Sequence, residues 1–412
     1  MTQPMKQHDR TILRELATKV AEIANLPIQA QRIARWKRHN SLKSTEPMLL
    51  VFPEGAWREL LPDRVLQCQE PAARGIEWQL RSRIYCHEHF PDDTVIEDNF
   101  NVTKAIDGGN WGLQGRRTAS AESLGAWTFD PVIEGPADLA KLRYPVVTHD
   151  LATSEQRLQA AQELFGDILK VQLKGIAHIS FHLMAEYTGL RGLEQVMMDM
   201  IENPEMLHEA MAFFQEGNRR RVQQFVDQNL LELNNDNTYH SSGGNGYTDE
   251  LPAAGYTPGH VRTCDMWSSA ESQELADVSP QMHEEFATRY ERPLLAMFAL
   301  NGYGCCEDLT NKLDSVLPIP GIRRISVSPW ADVARCAQRL GNKYILSWKP
   351  MPAMLCGKWD EQKNRTYIRA ALEASRGCVM EIILKDTHTV DNEPYRMDRW
   401  MQIAREEIEC IG

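Results

Sequence analysis

The sequence predicts an α/β fold: a (β/α)8 TIM barrel over residues 47–412, preceded by an N-terminal helical extension over residues 1–46 and carrying long inserted loops. Three observations predict it. Short apolar runs alternate with segments of helical period along most of the chain, an order that suits parallel strands joined by helical crossovers. A length of 412 residues accommodates one large barrel with an N-terminal extension as readily as two ordinary domains, and the barrel is preferred. No internal repeat, low-complexity tract or compositionally distinct linker divides the sequence.

The elements follow in order. Ile12, Leu13, Leu16, Val20, Ile23 and Ala24 recur at helical spacing until Pro27 breaks the pattern and a second helix begins. Residues 48–52, bounded by Pro47 and Pro53, read as a strand, and 71–90 as a helix. Further strands are expected at 94–102, 168–173, 177–183, 230–234, 298–303, 324–328, 343–347 and 379–384. Helices are expected between them at 154–164, 192–201, 204–229, 280–297, 307–316, 329–340 and 361–375. Asn203-Pro204, Ser279-Pro280 and Ser328-Pro329 each set a capping residue before Pro at a helix start. The loops 103–136 and 235–265 exceed ordinary connections, as lids and binding loops do.

Composition excludes several classes. With 42% hydrophobic and 25% charged residues the chain can bury a large core. A net charge of −12 argues against nucleic acid, which is held by clustered Lys and Arg. The one dense basic run, Arg219-Arg220-Arg221, reads as a solvated helix face. No apolar stretch approaches the roughly 20 residues needed to span a bilayer, and the first ten residues are too polar for a signal peptide. A cytoplasmic protein without membrane partners is expected, its nine cysteines reduced.

In a parallel barrel, reactive side chains stand at the strand C-termini. The run 298–303 leads into Gly304-Cys305-Cys306-Glu307-Asp308. Later runs lead into Ser328-Pro329-Trp330, Trp348-Lys349-Pro350 and Lys385-Asp386-Thr387-His388. Cys305, Cys306 and His388, with His240 as an extra ligand, offer soft donors suited to Zn²⁺. The competing reading makes the thiols packing residues under a Gly-rich turn and the histidines scaffold or loop surface. His87 and His89 fall on different helix faces and read as structural. Asp98, Glu271, Lys385 and Asp386 are candidate catalytic groups, with Asp249, Glu250 and Asp265 as further carboxylates near the expected mouth. Tyr247, Trp267, Asn301, Tyr303, Trp330 and Lys349 are candidate substrate-binding residues, and the aromatic ones, with Trp111 and Trp348, suit a flat or cationic ligand. Gly243-Gly244-Asn245-Gly246 lacks the frame of a phosphate or dinucleotide loop, and no Gly-x-Ser-x-Gly elbow is present.

The stretch Asp265-Met-Trp-Ser-Ser-Ala-Glu-Ser-Gln-Glu, then Val278-Ser279-Pro280 and Gly302-Tyr-Gly-Cys-Cys-Glu307, resembles the uroporphyrinogen decarboxylase-like superfamily over roughly residues 49–408. The resemblance places the decarboxylases' catalytic aspartate on Asp98. Their Met-Arg-Gln-Ala-Gly-Arg carboxylate clamp has no counterpart near Pro53-Glu54-Gly55-Ala56-Trp57. The corrinoid-linked zinc methyltransferases carry His-x-Cys-Gly after one strand and a Cys after the last. Here those places hold Tyr303-Gly304-Cys305-Cys306 and His388. The resemblance therefore implies a methyltransferase exchanging methyl with a methylcobamide (corrinoid, methylcobalamin-type) co-substrate, with Zn²⁺ assistance. Its partners would be a small-molecule substrate, a corrinoid protein and a second copy in a homodimer. A decarboxylase or lyase using Asp98 or Asp386 with Lys349 or Lys385, and a non-catalytic ligand-binding barrel, are the alternatives.

Overall fold

The computed structural model describes residues 5–118, 128–240 and 242–411. Parts of both expected loops, residues 119–127 and Ser241, lie outside the described residues. The chain divides into two compact units. The first takes residues up to 104, 151–174 and 333 onward, and the second takes 105–150 and 175–332. The parallel strands are β1 (Met48–Val51), β2 (Asn99–Thr103), β3 (Lys170–Lys174), β4 (Ser180–Phe181), β5 (Trp267–Ala270), β6 (Leu300–Tyr303), β7 (Ile322–Val327), β8 (Ile345–Trp348) and β9 (Val379–Leu384).

In the first unit β9 lies between β1 and β8, and β2 pairs with β3. Strands β1, β8 and β9 are buried along their whole length, which is why they read as nearly continuous apolar runs, interrupted at Ser347 and Glu381, rather than as an alternation. The two expected N-terminal helices are Gln7–Ala24 and Pro27–Asn40. The first buries Ile12, Leu13, Ala17, Val20 and Ile23 in one apolar core with Ala73, Leu80 and Ile84 of the helix Pro71–His89. Each buried Ile, Leu or Val among them contributes about 1.5–3 kcal/mol. A C-terminal helix absent from the sequence reading, Tyr395–Ile411, packs on Glu361–Ala374, whose Arg365 and Arg369 both reach the buried Glu407.

In the second unit the order is β4-β5-β6-β7, all parallel. Several expectations change here. Residues 177–183 shorten to the two-residue β4, and His182 precedes an unforeseen helix, Leu183–Arg191. Residues 230–234 hold a single bridge, Leu231 to Ile176, because the Asn234 side chain exchanges hydrogen bonds with the Trp267 backbone in place of a ladder. The helix expected at 307–316 keeps only Leu313–Val316, since the Glu307 carboxylate turns back onto two backbone N–H groups. Ser279 caps its helix as expected, accepting from Met282 N at 3.2 Å. Asn203 does not cap, because its amide donates back to Asp199. After Ser328-Pro329 the helix begins only at Val333. The segment 280–297 is a helix interrupted by a π turn, Glu284–Thr288, followed by Arg289–Leu295 with Pro293 inside; Pro293 lacks the N–H that a continuous helix would use.

The fold is thus α/β with parallel strands and helical crossovers. Among the described residues the strand pairings do not close into a ring of eight. No helix of the described residues is long and apolar enough to cross a membrane.

Candidate functional site

Three neighbouring strand ends of the second unit carry chemistry. Phe181 of β4 is paired with Ala270 of β5, and Ala270 with Tyr303 of β6. In-register parallel strands end on one edge, so the residues that follow emerge together. They are His182 after β4, Glu271 after β5, and Gly304-Cys305-Cys306 after β6.

His182 Nδ1 donates to Glu271 Oε1 at 2.9 Å, with Glu271 almost fully buried. Burial opposes charge on the imidazole, but the hydrogen bond and charge of Glu271 outweigh it and raise His182 above its ordinary 6.5. The turn after β6 is held from two sides. Glu307 accepts from Ser272 N at 3.1 Å and from Cys305 N at 2.8 Å, tying the β5 and β6 exits together. Ser326 Oγ donates to the Cys305 carbonyl at 2.7 Å. Gly304 sits at φ +85°, where a Cβ would also meet the Leu309 side chain at 2.6 Å. This turn brings Cys305 Sγ and Cys306 Sγ to 3.6 Å.

Beneath the turn, Glu291 accepts from Ser272 Oγ at 2.7 Å and from the Tyr303 hydroxyl at 2.6 Å. Burial, reinforced by the Glu307 charge, pushes Glu291 up to about 7 despite these donors. His283 lies 3.4 Å from the Tyr303 hydroxyl, and burial beside the Lys312 charge lowers it to about 3. Tyr303 therefore serves the protein interior rather than a ligand.

Next to Cys306 opens a cavity of about 450 Å³ lined by Gln273, Glu274, Ala276, Asp277, Cys306, Asp308 and Trp330. Three of these residues are carboxylates and none is basic. Burial, with the charges of Glu271 and Glu307, raises Glu274 above its ordinary range. Lys312 braces the acidic wall by donating to the carbonyls of Leu275 and Ala276. Trp330 is 70% exposed and presents its ring to solvent.

The other expected residues are placed as follows. Trp267 is buried, donates to the Gly246 carbonyl at 3.1 Å and packs against His240, with ring centroids 5.4 Å apart. Burial and the Arg324 charge hold His240 well below the usual imidazole range. Tyr247 is buried. Asn301 accepts from Ser268 Oγ and donates to the carbonyls of Leu295 and Pro320, so its amide is committed to the fold. Asp98, Lys349, Lys385, Asp386 and His388 belong to the first unit. Asp98 precedes β2 and pairs with Lys170 at 2.9 Å, at the N-terminal end of that strand. Lys349 follows β8 and is buried. Lys385 and Asp386 follow β9, 3.7 Å apart, and His388 backs onto Gly55, where a Cβ would stand 3.2 Å from its Nδ1. Among the described residues no group of three or more His, Cys, Asp or Glu is arranged to hold a metal ion. No chemical step is assigned to a zinc ion.

His182, Glu274, Glu291 and Glu307 escaped the sequence reading. His182 was hidden inside an expected strand; with β4 ending at Phe181, its place immediately after the strand is the signal that would have found it.

The architecture defines an α/β protein with its reactive groups at parallel strand ends. In its fold it is similar to a methyltransferase from Methanosarcina mazei, with a TM-score of 0.50 and 12% sequence identity over 92% of this chain and 99% of that one. Neither a protein-family model nor a curated protein sequence matches this chain.

Proposed function

We propose that the protein is a methyltransferase in which the His182–Glu271 pair protonates the heteroatom that methyl leaves. The observation that carries this reading is the delivery of His182 and Glu271, 2.9 Å apart, by two adjacent, in-register strand ends. His182 turns Nδ1 to Glu271, and Nε2 is the nitrogen left to act as acid. The hydrogen bond and charge of Glu271 raise the pKa of His182 above the ordinary imidazole value, which favours the proton-carrying form that an acid needs. For a donor R–X–CH₃, the C–X bond breaks, the proton passes from Nε2 to X, and the methyl group is taken by a nucleophile that supplies the electron pair. Cobalt(I) of a corrinoid carried by a partner protein is the nucleophile of this proposal. The likeness in fold to a methyltransferase agrees with it.

The acidic cavity favours neutral donors over anionic ones, and a flat neutral donor can stack on Trp330 beside Glu274, Asp277 and Asp308. A polycarboxylate would meet three like charges there, which disfavours decarboxylation of a porphyrinogen-type polyanion. The test incubates purified protein with methoxy, N-methyl and S-methyl donors and reduced cobalamin, following methylcobalamin by absorbance. Wild type should transfer methyl, and His182→Gln should lower the rate about a hundredfold, the scale of a lost general acid. Release of carbon dioxide from carboxylates, with no methylcobalamin from any donor, would overturn the proposal.

A further inference from the structure

The two thiols after β6 carry a chemistry that methyl transfer does not use. Cys305 and Cys306 are adjacent in sequence, and their sulfurs stand 3.6 Å apart. Adjacent side chains point apart in most backbones, so this approach reflects the turn that holds them. Gly304 supplies its left-handed residue, Glu307 fixes the Cys305 N–H, and Ser326 fixes the Cys305 carbonyl. The pair is also asymmetric. Cys306 lines the open cavity, whereas Cys305 is 6% exposed.

We infer that Cys305 and Cys306 form a redox-modification site that small disulfides oxidise to a vicinal disulfide. The accessible Cys306 thiolate attacks one sulfur of a low-molecular-weight disulfide RS–SR, forming Cys306–S–SR and expelling one RS⁻. The Cys305 thiolate then attacks Cys306 Sγ, the protein disulfide forms, and the second RS⁻ leaves. Two cysteine thiols lose two protons and two electrons, and RS–SR gains both to become two RSH. Neighbouring α-carbons are about 3.8 Å apart, below the usual disulfide span of about 4.4–6.8 Å. The ring is consequently strained and easily reduced, as regulatory disulfides are and structural ones are not. Closure removes the Cys306 thiol from the cavity wall. The chemistry is read on the thiols themselves and holds whatever substrate the cavity takes.

The test treats the full chain, under native conditions, with excess oxidised glutathione, then blocks remaining thiols with iodoacetamide and maps the peptides by mass spectrometry. The peptide containing both residues should lose the mass of two hydrogens, resist alkylation at both positions, and recover both after dithiothreitol. Cys305→Ser should instead trap glutathione on Cys306, since the second attack has no nucleophile. Glutathione persisting on Cys306 in the wild type, a bond from either residue to another cysteine, or full alkylation of both would overturn the inference. The wild-type measurement decides even if the variant fails to fold.

Discussion

His182 Nδ1 lies 2.9 Å from Glu271 Oε1, and this one pair governs the pH response of the strand-end site. His182 has a folded pKa above its ordinary 6.5, so the folded protein holds the proton more tightly than the unfolded chain. The stability it contributes is fully present below about 6.5 and is lost as pH rises through the raised folded value. Glu271→Gln removes the charge that raises it. Thermal unfolding midpoints measured across that range should show wild type and variant furthest apart at the acidic end and converging at the alkaline end. A gap independent of pH would refute the assignment.

Glu291 behaves with the opposite chemistry and the same sign. Burial moves it from 4.5 to about 7, so between those values the folded state carries a proton that the unfolded chain has released. Stability attributable to this group falls as pH rises through that interval. Glu291→Gln cannot titrate and should flatten this part of the stability profile in urea titrations. A variant whose slope matches wild type would place the titrating group elsewhere.

Glu307 accepts one backbone N–H on each carboxylate oxygen, from Ser272 and from Cys305. Glu307→Gln keeps the size but turns an amide NH₂ toward one of those donors, leaving it unsatisfied in a buried place. A loss of about 1–3 kcal/mol is expected, read as a lower denaturant midpoint. Alkylation of Cys306 should become faster, because the turn that carries it is no longer clamped to the β5 exit.

Gly304 adopts φ +85° and leaves no room for a Cβ, which would stand 2.6 Å from the Leu309 side chain. Gly304→Ala therefore adds a left-handed backbone penalty of about 1–3 kcal/mol, with the steric cost on top. Equilibrium urea unfolding reads it directly. In the same variant the two sulfurs should separate, and vicinal disulfide formation should slow relative to wild type.

Much of the fold was legible because burial leaves a local trace. Residues 379–384 read as a strand and are one, Val379–Leu384, since both faces are covered and every side chain is apolar or, at Glu381, buried and bonded to His39. The first two helices were legible from spacing alone. Element ends were harder. Asn203-Pro204 carries the capping pattern, yet Asn203 bonds to Asp199, which lies one helical turn back in sequence and offers a charged acceptor. Residues 307–312 look helical by composition, but Glu307 finds better partners at positions 272 and 305 than a helix could give it.

By itself the sequence determined the α/β class, most of the strands and helices, and the strand end that carries Cys305-Cys306, because hydrophobic period and cap chemistry are local properties. It also named Glu271. Only the tertiary structure decided that Glu271 takes His182 as its partner, that Glu307 clamps the turn, and that Tyr303 and Asn301 are spent on internal hydrogen bonds. Those outcomes depend on which strands lie side by side and in what register. Residues 182, 271 and 305 become neighbours through parallel pairing across long sequence separations, and no local pattern records which strand will be adjacent to which.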